Sequence, residues 1–238
     1  MFKIFKLEKT YKVAYKTYYN ERLKKSFFHH KLMFPLYDQV TFDRIPITFK
    51  SYYYDLYGKP KYAIRAGSDI YIPEIKAIIK KEKNLLEFII DKNLEDFSLT
   101  KFKEEYVYYS RDLLDIMEAD FLNYVYIFLN DEGMPFLADT IRLGAIDSNA
   151  FQLMKDMKIS MKESLYKKLE ENSFYYAPPY LPLYAFCEKI KDSILGTLTV
   201  KEWEQPGTKE KFIKFFKKNY PEKEIEETMQ EIQKWINS

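Results

Sequence analysis

The stretch Tyr62-Ala63-Ile64-Arg65-Ala66-Gly67-Ser68-Asp69-Ile70-Tyr71-Ile72-Pro73-Glu74-Ile75-Lys76-Ala77-Ile78-Ile79-Lys80-Lys81-Glu82-Lys83-Asn84-Leu85-Leu86-Glu87-Phe88-Ile89-Ile90 changes its period in the middle. Up to Ile72 it is β-branched and aromatic and reads as extended chain. After Pro73 the apolar residues Ile75, Ile78, Ile79, Leu85, Leu86, Ile89 and Ile90 recur at helical spacing. Proline suits the first turn of a helix, where its missing N–H would have no partner anyway. The expected fold is therefore α+β, with a strand-rich basic N-terminal half packed against a mainly helical C-terminal part. The first region is placed at residues 1–97, ending in this helix, and the helical region at 98–238.

Working back from Pro73, Phe2 to Leu7 and Lys12 to Tyr18 nearly alternate apolar and basic residues, the pattern of strands with one buried and one basic face. Asn20 to Lys31 reads as a short helix or a basic loop. Ile47 to Tyr57 and Tyr62 to Ile72 read as a hairpin around Gly58-Lys59-Pro60. Forward of the junction, one long helix is expected from Leu99 to Asn130, with an acidic outer face and Gly133 just beyond its end. Two shorter helices follow at Ser148–Met157 and Ser160–Asn172, the second opening on a capping-box pattern, Ser160-Met161-Lys162-Glu163. The prolines of 177–182 break regular structure, and helices are expected again at Leu183–Leu195, from a Thr208 cap to Asn219, and from Pro221 through Trp235. The last of these carries a narrow apolar stripe of Ile225, Met229, Ile232 and Ile236.

The chain has 238 residues, 47% of them apolar and 31% charged, which excludes a disordered polymer and allows one large domain or two small ones. No run approaches the roughly 18 apolar residues of a membrane span. Lysines interrupt the apolar residues of Met1 to Lys12 too often for a signal-peptide core, and the single Cys excludes a disulfide framework, so a cytoplasmic location is expected. Only six glycines occur, none before Gly58, and neither glycine-rich phosphate-binding motif is present. No cofactor is expected.

The net charge of +2 is a cancellation. Residues 1–83 carry 18 Lys and Arg against 8 Asp and Glu, residues 84–160 carry 7 against 15, and residues 161–238 carry 13 against 13. Within residues 1–35, nine cations stand against two glutamates among many aromatic rings. Cations neutralise phosphates and bare rings stack on unpaired bases, so this mixture suits a single-stranded nucleic acid. The expected contacts are Lys9, Lys12, Lys16, Arg22, Lys24 and Lys25 to phosphates, and Tyr15, Tyr18 and Tyr19 to bases. The reading is non-enzymatic, with RNA or DNA as partner.

Other constellations give alternatives. Ser148 to Phe186 has the lengths of a helix-turn-helix followed by a wing, although Lys162, Lys167 and Lys168 are balanced by Glu163, Glu170 and Glu171. Glu74-Ile75-Lys76 with Asp55 or Asp69 has the residue types of a metal-dependent nuclease, yet the helical spacing puts Glu74 and Lys76 in a first turn rather than on a strand. Asp112, Asp115, Glu118 and Asp120 read as the wet face of the long helix, His29-His30 as too divergent for a shared metal, and Cys187 as a buried thiol. A scaffold that binds a protein partner, or itself, through aromatic surface and the C-terminal helix is the remaining class.

Overall fold

The computed structural model describes residues 13–66, 69–144, 148–191 and 196–238. The expected strand at Phe2–Leu7 lies outside them. The fold is α+β, as the change of period at Pro73 implies. The described residues form two units, one within 1–58 and 74–107, the other within 59–73 and 108–238.

In the first unit, β1 (Ala14–Tyr19), β4 (Leu36–Phe42) and β5 (Ile45–Lys50) make an antiparallel sheet in the order β1-β4-β5. The turn between β4 and β5 is made by Asp43 and Arg44, both with positive φ, the backbone shape that matches the twist of a two-residue hairpin. Between β1 and β4 the chain makes a second hairpin, β2 (Ser26–Phe28) with β3 (Lys31–Met33), where a short helix or loop was expected. His29 turns this hairpin at φ 52° and its Nε2 hydrogen bonds the carbonyl of Tyr57 at 2.8 Å. Burial of the ring and that contact select the shape without glycine or proline, and burial lowers the pKa of His29.

The hairpin expected around Gly58-Lys59-Pro60 does not form. Ser51 instead caps α1 (Tyr52–Tyr57), its Oγ accepting from the Tyr54 N–H at 3.2 Å, and the helix buries Tyr53, Tyr54, Leu56 and Tyr57. An N-cap serine and four buried side chains outweigh the strand preference of tyrosine. The helix after Pro73 is α2 (Ile75–Lys92). It lays Ile78, Leu85, Leu86 and Ile89 against the sheet face formed by Leu36 and Val40, and α3 (Leu99–Ser110) adds Phe102 and Tyr106. The rings of Phe49 and Tyr106 stand 4.5 Å apart.

The second unit holds a small hairpin, β6 (Ile64–Ala66) with β7 (Asp69–Tyr71), and is otherwise helical. The long helix expected from Leu99 is two helices, because the chain straightens at Arg111-Asp112 to pair with Thr199. Asp112 then caps α4 (Leu113–Asp131). One carboxylate oxygen accepts from the Asp115 N–H at 2.9 Å and the other from the Leu198 N–H at 2.6 Å. Gly133 ends α4 at φ 78°, as expected. α5 (Pro135–Gly144) was not anticipated.

α6 (Ala150–Ser160) and α7 (Glu163–Tyr176) follow, but the capping box does not form, since Ser160 is the last residue of α6 and bonds back to the Asp156 carbonyl. α8 (Tyr180–Lys191) starts three residues earlier than expected, because Pro182 fits in its first turn. The capping box is instead at Thr199 and Glu202, opening α9 (Val200–Glu204), a helix the sequence pattern did not suggest. α10 (Thr208–Asn219) is entered through Gly207 at φ 84° rather than through a Thr208 cap, and α11 (Ile225–Asn237) begins after a turn at Pro221. The core of this unit gathers Met117 and Phe121 of α4 with Tyr180, Tyr184, Trp203, Phe212, Phe216 and Ile232. No helix among the described residues is long and apolar enough to cross a membrane.

Candidate functional site

Alternation along β1 and β4 gives the sheet two unlike faces. Leu36, Asp38 and Val40 are buried toward α2, and their register partners Tyr19, Thr17 and Tyr15 lie on that same side. The other face carries Lys16 and Tyr18 of β1, Tyr37 and Gln39 of β4, and Thr48 and Lys50 of β5. Tyr18 and Tyr37 are direct cross-strand partners, both half-buried, and Lys50 stands opposite Tyr37. The Lys16 ammonium sits 4.9 Å from the Tyr18 ring centre. Two adjacent phenols among lysines and neutral hydrogen-bonding side chains form the centre of this open face.

At the Tyr18–Tyr37 end, the Asn20 N–H donates to the Pro35 carbonyl at 2.9 Å and the chain departs into the β2–β3 hairpin. Phe28 anchors it, fully buried and stacked on Tyr54 at 5.1 Å. On its opposite side Phe27 and Leu32 are register partners and remain 72% and 57% exposed. Arg22, Lys24, Lys25 and Lys31 surround them, all exposed, with the Lys25 ammonium 4.9 Å from the Phe34 ring centre. A basic hairpin thus continues from the end of the sheet that bears the tyrosines.

The sequence-derived residues divide accordingly. Lys9 and Lys12 lie outside the described residues. Lys16 and Tyr18 are on the open face, while Arg22, Lys24 and Lys25 are on the hairpin and its approach. None of these four cations is ion-paired with a carboxylate among the described residues. Tyr15 points the other way and donates its hydroxyl to Glu87, which, with burial, pushes its pKa up to about 12. Tyr19 shares that side, exposed near the sheet's end. Tyr37, Phe27, Leu32 and Lys31 were not singled out as contacts, though the alternation of Leu36 to Phe42 could have found Tyr37.

Beneath the tyrosines lies a buried carboxyl pair, Asp38 of β4 and Glu82 of α2, both with no exposed surface. Glu82 accepts from the Ser51 hydroxyl at 2.5 Å, from the Tyr53 N–H at 3.4 Å and from the Tyr106 hydroxyl. Asp38 accepts from the Thr17 hydroxyl at 2.5 Å through Oδ1, whereas Oδ2 has no donor facing it. Two adjacent charges cannot both persist out of water, so the proton resides on Asp38 and is donated to Glu82, whose carboxylate already accepts three hydrogen bonds against one for Asp38. Burial first, then the Glu82 charge, pushes Asp38 up to about 8, and burial raises Glu82 as well. The pair ties the sheet to α2 and is closed to substrate.

Most of the other candidates are engaged in structure. Glu74 is the N-cap of α2 and Lys76 lies in its first turn, both exposed, and Asp55 pairs with Lys50 at 2.6 Å. No group of three or more His, Cys, Asp or Glu among the described residues could hold a metal ion. The expected wing is the start of α8, and two lysines of α7 are engaged, Lys167 by Glu163 at 2.9 Å and Lys168 by Glu132. The acidic face expected on the long helix is largely buried. Asp115 takes Lys59 and Lys61, each at 2.7 Å, and Glu118 takes Lys61, the Tyr180 hydroxyl and the Ala150 N–H. Burial opposes the charge on Lys61, but Glu118 and Asp115 together hold its pKa above the usual value. Cys187 is buried. Comparison with protein-family models, with curated proteins and with solved structures gives no match to this chain.

Proposed function

We propose that this chain binds single-stranded nucleic acid, without catalysing a reaction on it, across the open face of its N-terminal sheet. The observation that carries the reading is the cross-strand pair Tyr18 and Tyr37 on a face that also bears Lys16, which has no ion-pair partner among the described residues, and Lys50, which pairs with Asp55, continued by the basic segment of Arg22, Lys24, Lys25 and Lys31. Rings on an open sheet stack on bases without regard to sequence, at about 1 to 3 kcal/mol per base, while cations beside them track the backbone. Phe27 offers a further bare ring at the hairpin. The missing glycine loops are no obstacle, because this mode needs no close backbone approach to a phosphate.

The test is fluorescence anisotropy with a labelled oligo-uridine and its DNA counterpart over a salt series. Each phosphate contact contributes a slope of about −0.7 in log K against log salt for single strands. Replacing Lys24 and Lys25 together by Gln is expected to flatten that slope by about 1 or more. Tyr18→Ala or Tyr37→Ala should weaken binding at every salt concentration and leave the slope in place. A flat response in the wild-type chain removes the reading.

A further inference from the structure

The second unit carries a groove of about 1010 Å³ between α4, the C-terminal turn of α7 with the prolines after it, and α11. That volume lies at the upper limit of small-molecule sites, about 300 to 1,000 Å³, and suits an extended peptide. Its aromatic wall is Phe174, Tyr175 and Tyr176, the two tyrosines 68% and 76% exposed, and Trp235 closes the opposite side. Asp120 and Asp131 of α4 line it, with Glu222 before α11 and Glu224 and Glu227 at the start of α11. None of these five carboxylates has an ion-pair partner among the described residues.

The groove already accommodates a cation from its own chain. The Lys223 ammonium lies 4.6 Å from the Tyr175 ring centre and 5.0 Å from that of Phe174. The other lining lysine, Lys234, is held by Glu231 at 3.2 Å. With both lysines engaged, the unpaired charge in the groove is negative, and the neighbouring Tyr176 ring has room for a second cation. Faces of tyrosine attract ammonium and guanidinium groups, and carboxylates at their rim complete the recognition.

We propose that this groove docks a Lys- or Arg-rich peptide segment of a partner protein. Cations of the segment lie over Tyr176 and against Asp131 and Glu227, and its aliphatic stems rest on Trp235 and Ile127. The occupant is of opposite charge to the polyanion proposed for the first unit.

The probe is a fluorescein-labelled peptide of about a dozen residues, alternately Lys and Ala, titrated by anisotropy against the full chain. Glu227→Lys and Asp131→Lys should each weaken it roughly fivefold or more, and Tyr176→Ala roughly twofold to fivefold. All three positions are exposed, and unchanged far-UV circular dichroism checks that they fold. Asp139→Lys, an exposed acid on α5 outside the groove, and Tyr18→Ala should leave binding unchanged. Equal loss in Asp139→Lys, no binding by the wild-type chain, or a dimer in sedimentation that Glu227→Lys disperses would each overturn the proposal, the last by identifying a second copy as the occupant.

Discussion

Asp38→Asn isolates the buried carboxyl pair. In the unfolded chain Asp38 ionises above an ordinary value of 3.8, whereas in the folded chain it holds its proton up to about 8. Between those limits the native state binds one more proton than the unfolded state, so the contribution of Asp38 to stability is fully present below about pH 4 and is lost as pH rises toward 8. The slope is about 1.4 kcal/mol per pH unit, on the order of 4 kcal/mol between pH 5 and 8, and the raised pKa of Glu82 acts in the same direction. Asparagine preserves the geometry, its carbonyl accepting from Thr17 and its amide donating to Glu82, and it removes the titration. The variant should match wild type within about 1 kcal/mol at pH 5 and exceed it by about 3 kcal/mol at pH 8. Urea unfolding at constant ionic strength, followed by far-UV circular dichroism, measures both. His29, whose pKa is lowered by burial, contributes the opposite slope below pH 6.5 and cancels in the difference. Wild-type stability that rises from pH 5 to 8, or an equal slope in the variant, would refute the assignment of the proton.

Gly196→Ala should cost about 1 to 3 kcal/mol in urea unfolding, because a methyl there would lie 2.6 Å from Cζ of the buried Tyr184. Lys61→Met should cost about 3 kcal/mol by leaving Glu118 without its cation, while Lys59→Met, at an exposed end of the same cluster, should cost under about 1 kcal/mol. Similar losses for the two would show that burial does not govern this cluster. Asp112→Ala removes an N-cap and the acceptor of the Leu198 N–H together, and is expected to lower stability by about 2 kcal/mol, read from the denaturation midpoint.

The parts of this fold legible in the sequence are those with a long local period. The α2 stripe and the helices ending at Gly133 and Asn219 follow from spacing and a few end signals. What the sequence hid has identifiable causes. Asp43-Arg44 and His29-His30 make turns without glycine or proline, so neither of the first unit's hairpins announced itself, whereas Gly58 and Pro60 announced one that a cap at Ser51 forestalls. The break at Arg111-Asp112 depends on Thr199, almost ninety positions away, and no window could contain both. At the candidate site, alternation separates Lys16 and Tyr18 from Tyr15, but which face stays open depends on where α2 lies. The acidic middle of the chain illustrates the same limit, since Asp115 and Glu118 looked solvated until Lys59 and Lys61 were brought to them.

One consequence follows from the position of β1. Among the described residues it is a border strand of its sheet, bonded on one side only, which is the usual starting point for uncontrolled accretion of further strands. Lys16, midway along it, is a gatekeeper against that fate, since a second strand would have to bring another molecule's backbone up to an uncompensated ammonium. Neutralising Lys16 would therefore shorten the shelf life of concentrated solutions as well as weaken any hold on a polyanion, and turbidity on storage would register the first effect separately from the second.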